Sequence, residues 1–205
     1  MKTIWIDLET TGLNPDKDHI IEIAAVYIDA FKPKTNHVYH RFVLPDEKPS
    51  DWTDDNVSGI TWDFLMENGV SSTQFFHEFR GWLDSLISKF DKMDKAVIGG
   101  YNPKFENDFL RALFIKYGSL FFGSYFIPPQ IDVQNYVAEA FSTGKIPVLS
   151  NFKQSTVYAY LFGKELENKH SALADIIASI RIFCELKKNI RYEKKLLTLF
   201  PESKI

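Results

Sequence analysis

The run Ile4-Trp5-Ile6-Asp7-Leu8-Glu9 sets two carboxylates two residues apart inside an otherwise apolar segment. Bounded by the turn-rich residues 12 to 18, it reads as a strand. Alternate side chains of a strand share a face, so Asp7 and Glu9 project the same way. Two acids pushed together by a segment that wants burial repel each other, and a divalent cation relieves that repulsion. The chain is therefore constrained to a sheet that brings this one strand to a charged edge.

Residues 2 to 9, 20 to 29 and 38 to 44 are strand candidates, and together they predict an antiparallel meander. Residues 44 to 63, with Asp46, Glu47, Asp51, Asp54 and Asp55, read as a solvated connection. Beyond them, residues 72 to 90, 104 to 117, 151 to 162 and 171 to about 197 read as helices. Residues 131 to 141 read as mixed or helical, and 96 to 100 as a short buried strand. Phe75, Phe76, Phe79, Trp82 and Leu83 recur at helical spacing and are assigned to the core. Strands first and helices packed around them afterwards give an α/β fold with a mixed sheet.

The chain has 205 residues, 45% of them apolar, and only 10 Gly and 9 Pro, which suits one domain spanning 1 to 205. Cys184 stands alone, so an intramolecular disulfide framework is excluded and a reducing, cytoplasmic setting is expected. No apolar run approaches the roughly 18 residues a membrane span needs, and no basic segment leads into one at the start. The net charge of −3 argues against a nucleic-acid partner when taken alone. Cations held by four carboxylates would offset it.

Two later clusters carry further acids. Taking about 100° per residue from Glu106, the apolar Phe109, Leu110, Leu113 and Tyr117 fall within about 60° of it, whereas Asp108 lies roughly 200° away. Glu106 thus heads a buried stripe that points across a sheet edge. Asp108, the competing candidate, has an exposed role available beside Lys104 or Arg111. Asp175 heads a second stripe of Ala178, Ser179, Ile182, Leu186 and Ile190. His170 falls about 140° off that face and is placed in the loop before the helix, where an imidazole can accept a proton near neutral pH. His19, His37, His40 and His77 lack such company and read as structural or exposed. Lys187, Lys188, Arg191, Lys194 and Lys195 read first as a solvated face and only second as a phosphate track.

In this order the clusters resemble the DEDDh 3′→5′ exonucleases of the ribonuclease-H-like group, which includes proofreading subunits, ribonuclease T and oligoribonuclease. The first motif stands as Asp7-Leu8-Glu9-Thr10-Thr11-Gly12, and the third as His170-Ser171-Ala172-Leu173-Ala174-Asp175. The second reads Tyr101-Asn102-Pro103-Lys104-Phe105-Glu106-Asn107-Asp108-Phe109-Leu110, with Glu106 where the family usually has aspartate. Moving the role to Asp108 needs a two-residue shift that breaks the Phe109-Leu110 match.

The resemblance covers about residues 2 to 190, with 191 to 205 as helix end and tail. It implies two Mg²⁺ or Mn²⁺ ions on Asp7, Glu9, Glu106 and Asp175, with His170 as general base. It also implies substrate contacts from Thr10, Thr11, Gly12, Leu13 and Asn102. The expected substrate is a single-stranded DNA or RNA 3′ end, released as nucleoside 5′-monophosphates. Alternatives are an end-binding module that has lost turnover through the Glu106 change, or an internal-cutting nuclease of the ribonuclease H type. A polymerase or repair partner and a homodimer remain open.

Overall fold

Strand β2 (Ile20–Asp29) is buried along its whole length, which is why it reads IIEIAAVYID and shows no apolar–polar alternation. The computed structural model describes residues 2–29, 37–54, 58–168 and 170–188. In it, β2 pairs antiparallel with β1 (Lys2–Thr10) on one side and β3 (His37–Leu44) on the other. Strand β4 (Val70–Ser71) then joins β3, β5 (Ala96–Gly100) joins β1, and β6 (Ile131–Asp132) joins β5, all three parallel. The order β4-β3-β2-β1-β5-β6 is the expected antiparallel meander extended by parallel strands.

Period-two alternation along β1 divides the core into two layers. Ile4, Ile6 and Leu8 face α2 (Ser72–Leu86) and α3 (Lys104–Lys116), against Phe75, Phe79, Leu83, Phe109 and Leu110. Trp5 faces the other way, where Ala24, Val26 and Ile28 meet α4 (Val133–Ser142), α5 (Gln154–Phe162) and α6 (Ala172–Lys187) through Val137, Val157, Ile176 and Ile180. Asp7 and Glu9 share the parity of Trp5 and so lie on the α6 side.

Three expectations need correction. The stretch read as a solvated connection carries a small apolar cluster in which Ile60, Leu65, Trp52 and Trp62 pack on Ile21, Phe42 and Leu44, and it leads into a short helix, α1 (Trp62–Asn68). Thr61 caps that helix, and Asp54 accepts from the Trp52 indole at 2.8 Å and the Trp62 amide at 3.0 Å. Helix α2 stops at Leu86, not 90, because buried Ile87 turns extended and Asp94 takes the Ser88 amide. Helix α6 ends at Lys187, with Lys188 in the left-handed region at φ 48°. The basic positions Arg191, Lys194 and Lys195, and the tail, lie outside the described residues. Lys187 pairs with Glu139 at 3.0 Å, in keeping with a solvated face.

The sheet leaves one end of β1 uncovered. Pairing with β5 runs from Lys2↔Ala96 to Trp5↔Gly99, so the segment from Asp7 to Thr10 overhangs on that side. The chain leaves β5 at Gly100, passes Asn102 at φ 69°, and enters α3. A crevice at the carboxyl ends of parallel strands, where successive connections run to opposite sides, is where open α/β sheets bind ligands. No helix among the described residues is long and apolar enough to cross a membrane.

Close approach of β5 to β1 depends on Gly99. A Cβ there would sit 2.8 Å from the ring of fully buried Trp5, which has no room to yield. Gly99→Ala is expected to destabilise the protein by about 1–3 kcal/mol through overpacking, measured as a lower urea midpoint. An unchanged midpoint would show that the two strands can separate at no cost.

Candidate metal centre

The overhang of β1 carries the first acids and then bends. Register slips between Glu9, opposite Glu22, and Thr10, opposite Ile20, and this bulge turns the strand into its loop. The loop is held internally. Thr11 N–H donates to the His19 carbonyl at 2.9 Å, and Asp18 accepts from the Asn14 amide at 2.8 Å and the Thr11 hydroxyl at 3.3 Å. Thr10 Oγ1 donates to the Gly12 carbonyl at 2.6 Å. Gly12 leaves room for the Asp18 carboxylate, whose oxygens would lie 2.5 Å from a Cβ at this position and would have to shift. The result presents Leu13 to solvent, 85% exposed, at the tip of a loop that starts next to Glu9.

Helix α3 supplies Glu106 from the opposite layer. Glu106 is buried with Phe109, Leu110 and Phe114, and its Oε2 has no hydrogen-bond partner among the described residues. Asp108 turns outward, paired with Lys104 and accepting from Asn107 Nδ2 at 3.2 Å. Asn102 precedes the helix, exposed, with its backbone N–H on Asp132 Oδ1 at 3.1 Å.

Helix α6 brings the third cluster. His170 lies in the preceding loop at φ 67°, and its backbone N–H donates to Asp175 Oδ2 at 3.1 Å. Gln154 Nε2, from α5, donates to the Asp175 carbonyl at 2.5 Å and the Ser179 hydroxyl at 2.8 Å. Glu9, His170 and Asp175 each offer a ligand atom within 4.8 Å of the others.

Sequence reasoning missed Glu22. It is 1% exposed and is the strand partner of Glu9. Its Oε2 accepts from the Ala172 amide at 3.2 Å, while Oε1 takes His40 Nε2 at 2.8 Å and the Ser171 hydroxyl at 3.4 Å. The available signal was a lone glutamate in the apolar run Ile20-Ile21-Glu22-Ile23-Ala24-Ala25. His40, read as structural or exposed, is its partner.

These acids hold one another's protons. Burial first, then the charges of Glu106, Asp175, Glu9 and Glu22, keep the Asp7 carboxyl well above the usual carboxylate range. Burial, then Asp175 and Glu22, push Glu9 up to about 8. Glu106 is raised by burial and, after the opposing pull of its own backbone N–H, by Asp132 and Glu9. Burial raises Asp175 against the favourable N–H and charge of His170. Desolvated like charges crowded in this way, with ligand atoms of Glu9, His170 and Asp175 within 4.8 Å of one another, make an oxygen-rich setting for hard cations. The unpartnered Oε2 of Glu106 fits such an ion.

A family model, RNase_T, described as an exonuclease, matches residues 4–183. A PolC-type DNA polymerase III of Pediococcus pentosaceus is 24% identical over 85% of this chain and 10% of its own length. An oligoribonuclease of Pectobacterium atrosepticum is 74% identical over 27 residues, 13% of this chain and 15% of its own. Among solved structures, a zinc-bound complex of E. coli exonuclease I with single-stranded DNA superposes with a TM-score of 0.69 at 18% identity. That match covers 97% of this chain and 45% of the other. The chain therefore spans a tenth or less of the polymerases it resembles and under half of the exonuclease I chain.

The acid cluster has a stability signature. Folded Glu9 keeps its proton up to about pH 8, whereas the unfolded chain releases it near 4.5, so over that window the unfolded state binds fewer protons. Stability of the metal-free protein should therefore fall as pH rises from about 4.5 to 8, seen as a falling urea midpoint. Glu106→Gln, which removes charge at nearly constant shape, should raise the melting temperature by about 2–4 °C at pH 8 and leave it unchanged near pH 5. Mn²⁺ should stabilise more at pH 8 than at pH 5, because ligand carboxylates must be ionised. A pH-independent midpoint with an inert Glu106→Gln would mean the acids do not crowd one another.

Proposed function

The chain belongs to the exonuclease family whose model spans residues 4–183, and from that membership we propose that it hydrolyses single-stranded DNA or RNA from the 3′ end, releasing nucleoside 5′-monophosphates. The observation that carries this reading is the meeting of Glu9, His170 and Asp175 within 4.8 Å, beside an Asp7 whose carboxyl is raised by burial and then by Glu106 and its acidic neighbours. A structural ion pair would need a lysine or arginine among these groups. Among the described residues, the neighbouring charges acting on Asp7 and Glu9 are all acidic.

Asp7, Glu9, Glu106 and Asp175 would hold two divalent cations. When bound, such ions acidify a coordinated water and stabilise charge on the departing 3′ oxygen. Carboxylate-only ligation favours Mg²⁺ or Mn²⁺. The zinc-bound complex named above is a property of that exonuclease I.

The remaining steps fall to the protein. His170, exposed at the rim, takes the proton of the attacking water, and its backbone bond to Asp175 at 3.1 Å keeps the imidazole loop beside the acids. Leu13 offers an apolar wedge to the terminal base, a contact that accepts any of the four. Thr10, Thr11, Gly12 and Asn102 would contact the terminal sugar, as the family membership implies. Placing base and sugar on one rigid loop fixes the scissile phosphate over the acids, which is where orientation lowers a barrier most.

The test is hydrolysis of 5′-labelled deoxyribose and ribose oligomers with Mn²⁺. A ladder shortening one nucleotide at a time, with circular single strands untouched, is expected. Asp7→Ala should abolish turnover, and His170→Ala should lower kcat by about 10²–10⁴-fold. If wild type and both variants are equally inert while all bind the strand, the protein is an end-binding module. Cleavage of the circle would make it an internal-cutting nuclease.

A further inference from the structure

Glu22 lies outside the acid set that the family motifs supply, yet it is more deeply buried than any of them, at 1% exposure. Among the described residues, no lysine or arginine is a partner of its carboxylate. Both of its oxygens are engaged: Oε1 by His40 Nε2 at 2.8 Å and Ser171 Oγ at 3.4 Å, Oε2 by the Ala172 amide at 3.2 Å. An acid so occupied is poorly placed to take an ion. Its bonds explain its presence differently.

Helix α6 begins without a cap of its own, for Ser171 at the N-cap position makes no side-chain capping bond. The first-turn amides of such a helix need an acceptor, and an anion is the best one because the helix dipole is positive there. Glu22 meets that need from a strand 150 residues earlier in sequence. The same glutamate is the register partner of Glu9 on β1. One carboxylate thus links the strand row that carries Glu9 to the helix turn that carries Asp175 and follows His170.

Apolar contacts alone do not supply this. Ala24, Val26, Ile176 and Ile180 press α6 onto the sheet below the site, but such packing is non-directional and leaves the helix end poorly fixed along its axis. Directional bonds at the top turn hold it. We propose that Glu22, oriented by His40, is a positioning residue that sets His170 and Asp175 at working distance from Glu9. The inference rests on the nuclease reading of the site only for its effect on turnover.

The experiment compares wild type with Glu22→Ala, Glu22→Asp and Glu22→Gln by three readouts. These are amide hydrogen exchange over residues 170 to 176, Mn²⁺ calorimetry, and kcat and KM on a deoxythymidine oligomer well below each melting temperature. Glu22→Ala should speed exchange at Ala172 about tenfold, weaken Mn²⁺ binding about tenfold, and lower kcat about tenfold or more with KM within about threefold. Glu22→Asp keeps the charge but loses reach, and should behave like the alanine variant. Glu22→Gln keeps an oxygen for Ala172 and should recover most of the exchange protection and of kcat.

Wild-type exchange and kcat in Glu22→Asp, or a lowered melting temperature with unchanged kcat and Mn²⁺ affinity, would overturn the proposal and leave Glu22 a stability element. If Glu22→Ala does not fold, the Asp and Gln pair decides by the same criteria. If wild type hydrolyses nothing, the nuclease reading fails, and exchange with Mn²⁺ affinity still judges the positioning claim.

Discussion

Repulsion among buried carboxylates is the constraint on which the rest of this structure depends. Asp7, Glu9, Glu106 and Asp175 reach one end of β1, and burial together with their mutual charge keeps their protons on longer than in water. Left to themselves, these groups would push the sheet edge apart. They stay because two apolar layers, one on each face of the sheet, clamp the elements that carry them. Hydrophobic burial is proportional to area and indifferent to direction, so a large core can hold a few unfavourable charges in place without matching them one for one.

The geometry of convergence follows from parity and overhang. Asp7 and Glu9 point to the α6 side because they alternate with Ile6 and Leu8, which are needed in the α2–α3 layer. Glu106 belongs to α3, in that second layer, and can approach only because β5 stops pairing at Trp5↔Gly99 and leaves the end of β1 open. Acids from opposite layers thus act on one another across a strand end that β5 leaves unpaired. A longer β5 would close the gap, and the cluster would lose its third wall.

Much of this was legible in the residues, for reasons that also mark the limits. Period two placed Asp7 and Glu9 together, and the helical angle separated inward Glu106 from Asp108, which is found paired with Lys104 at the surface. The off-stripe angle of His170 matched its loop position at φ 67°. Helix α1 escaped notice because its 7 residues are too few for a period and its apolar members sit among acids. The ends of α2 and α6 depend on Ile87 and Lys188 backbone angles that no side-chain pattern encodes. Glu22 was hidden by register: a strand buried on both faces has no alternation to reveal which residue lies opposite Glu9.

Glutamate at position 106, where the motif resemblance leads one to expect aspartate, is best judged by where its charge ends up. The extra methylene would push a straight side chain deeper into the crevice. Glu106 lies in the first turn of α3, where the positive helix end and its own backbone N–H draw the carboxylate back and favour its charged form. Burial and the charges of Asp132 and Glu9 oppose that pull. Oε2 therefore stays buried and unpartnered among the described residues. A buried carboxylate oxygen left unsatisfied costs about 1–3 kcal/mol or more, a cost that a bound cation removes. Glutamate at this position therefore keeps both a carboxylate and an unpartnered oxygen among the described residues, buried where the acids of β1 act on it.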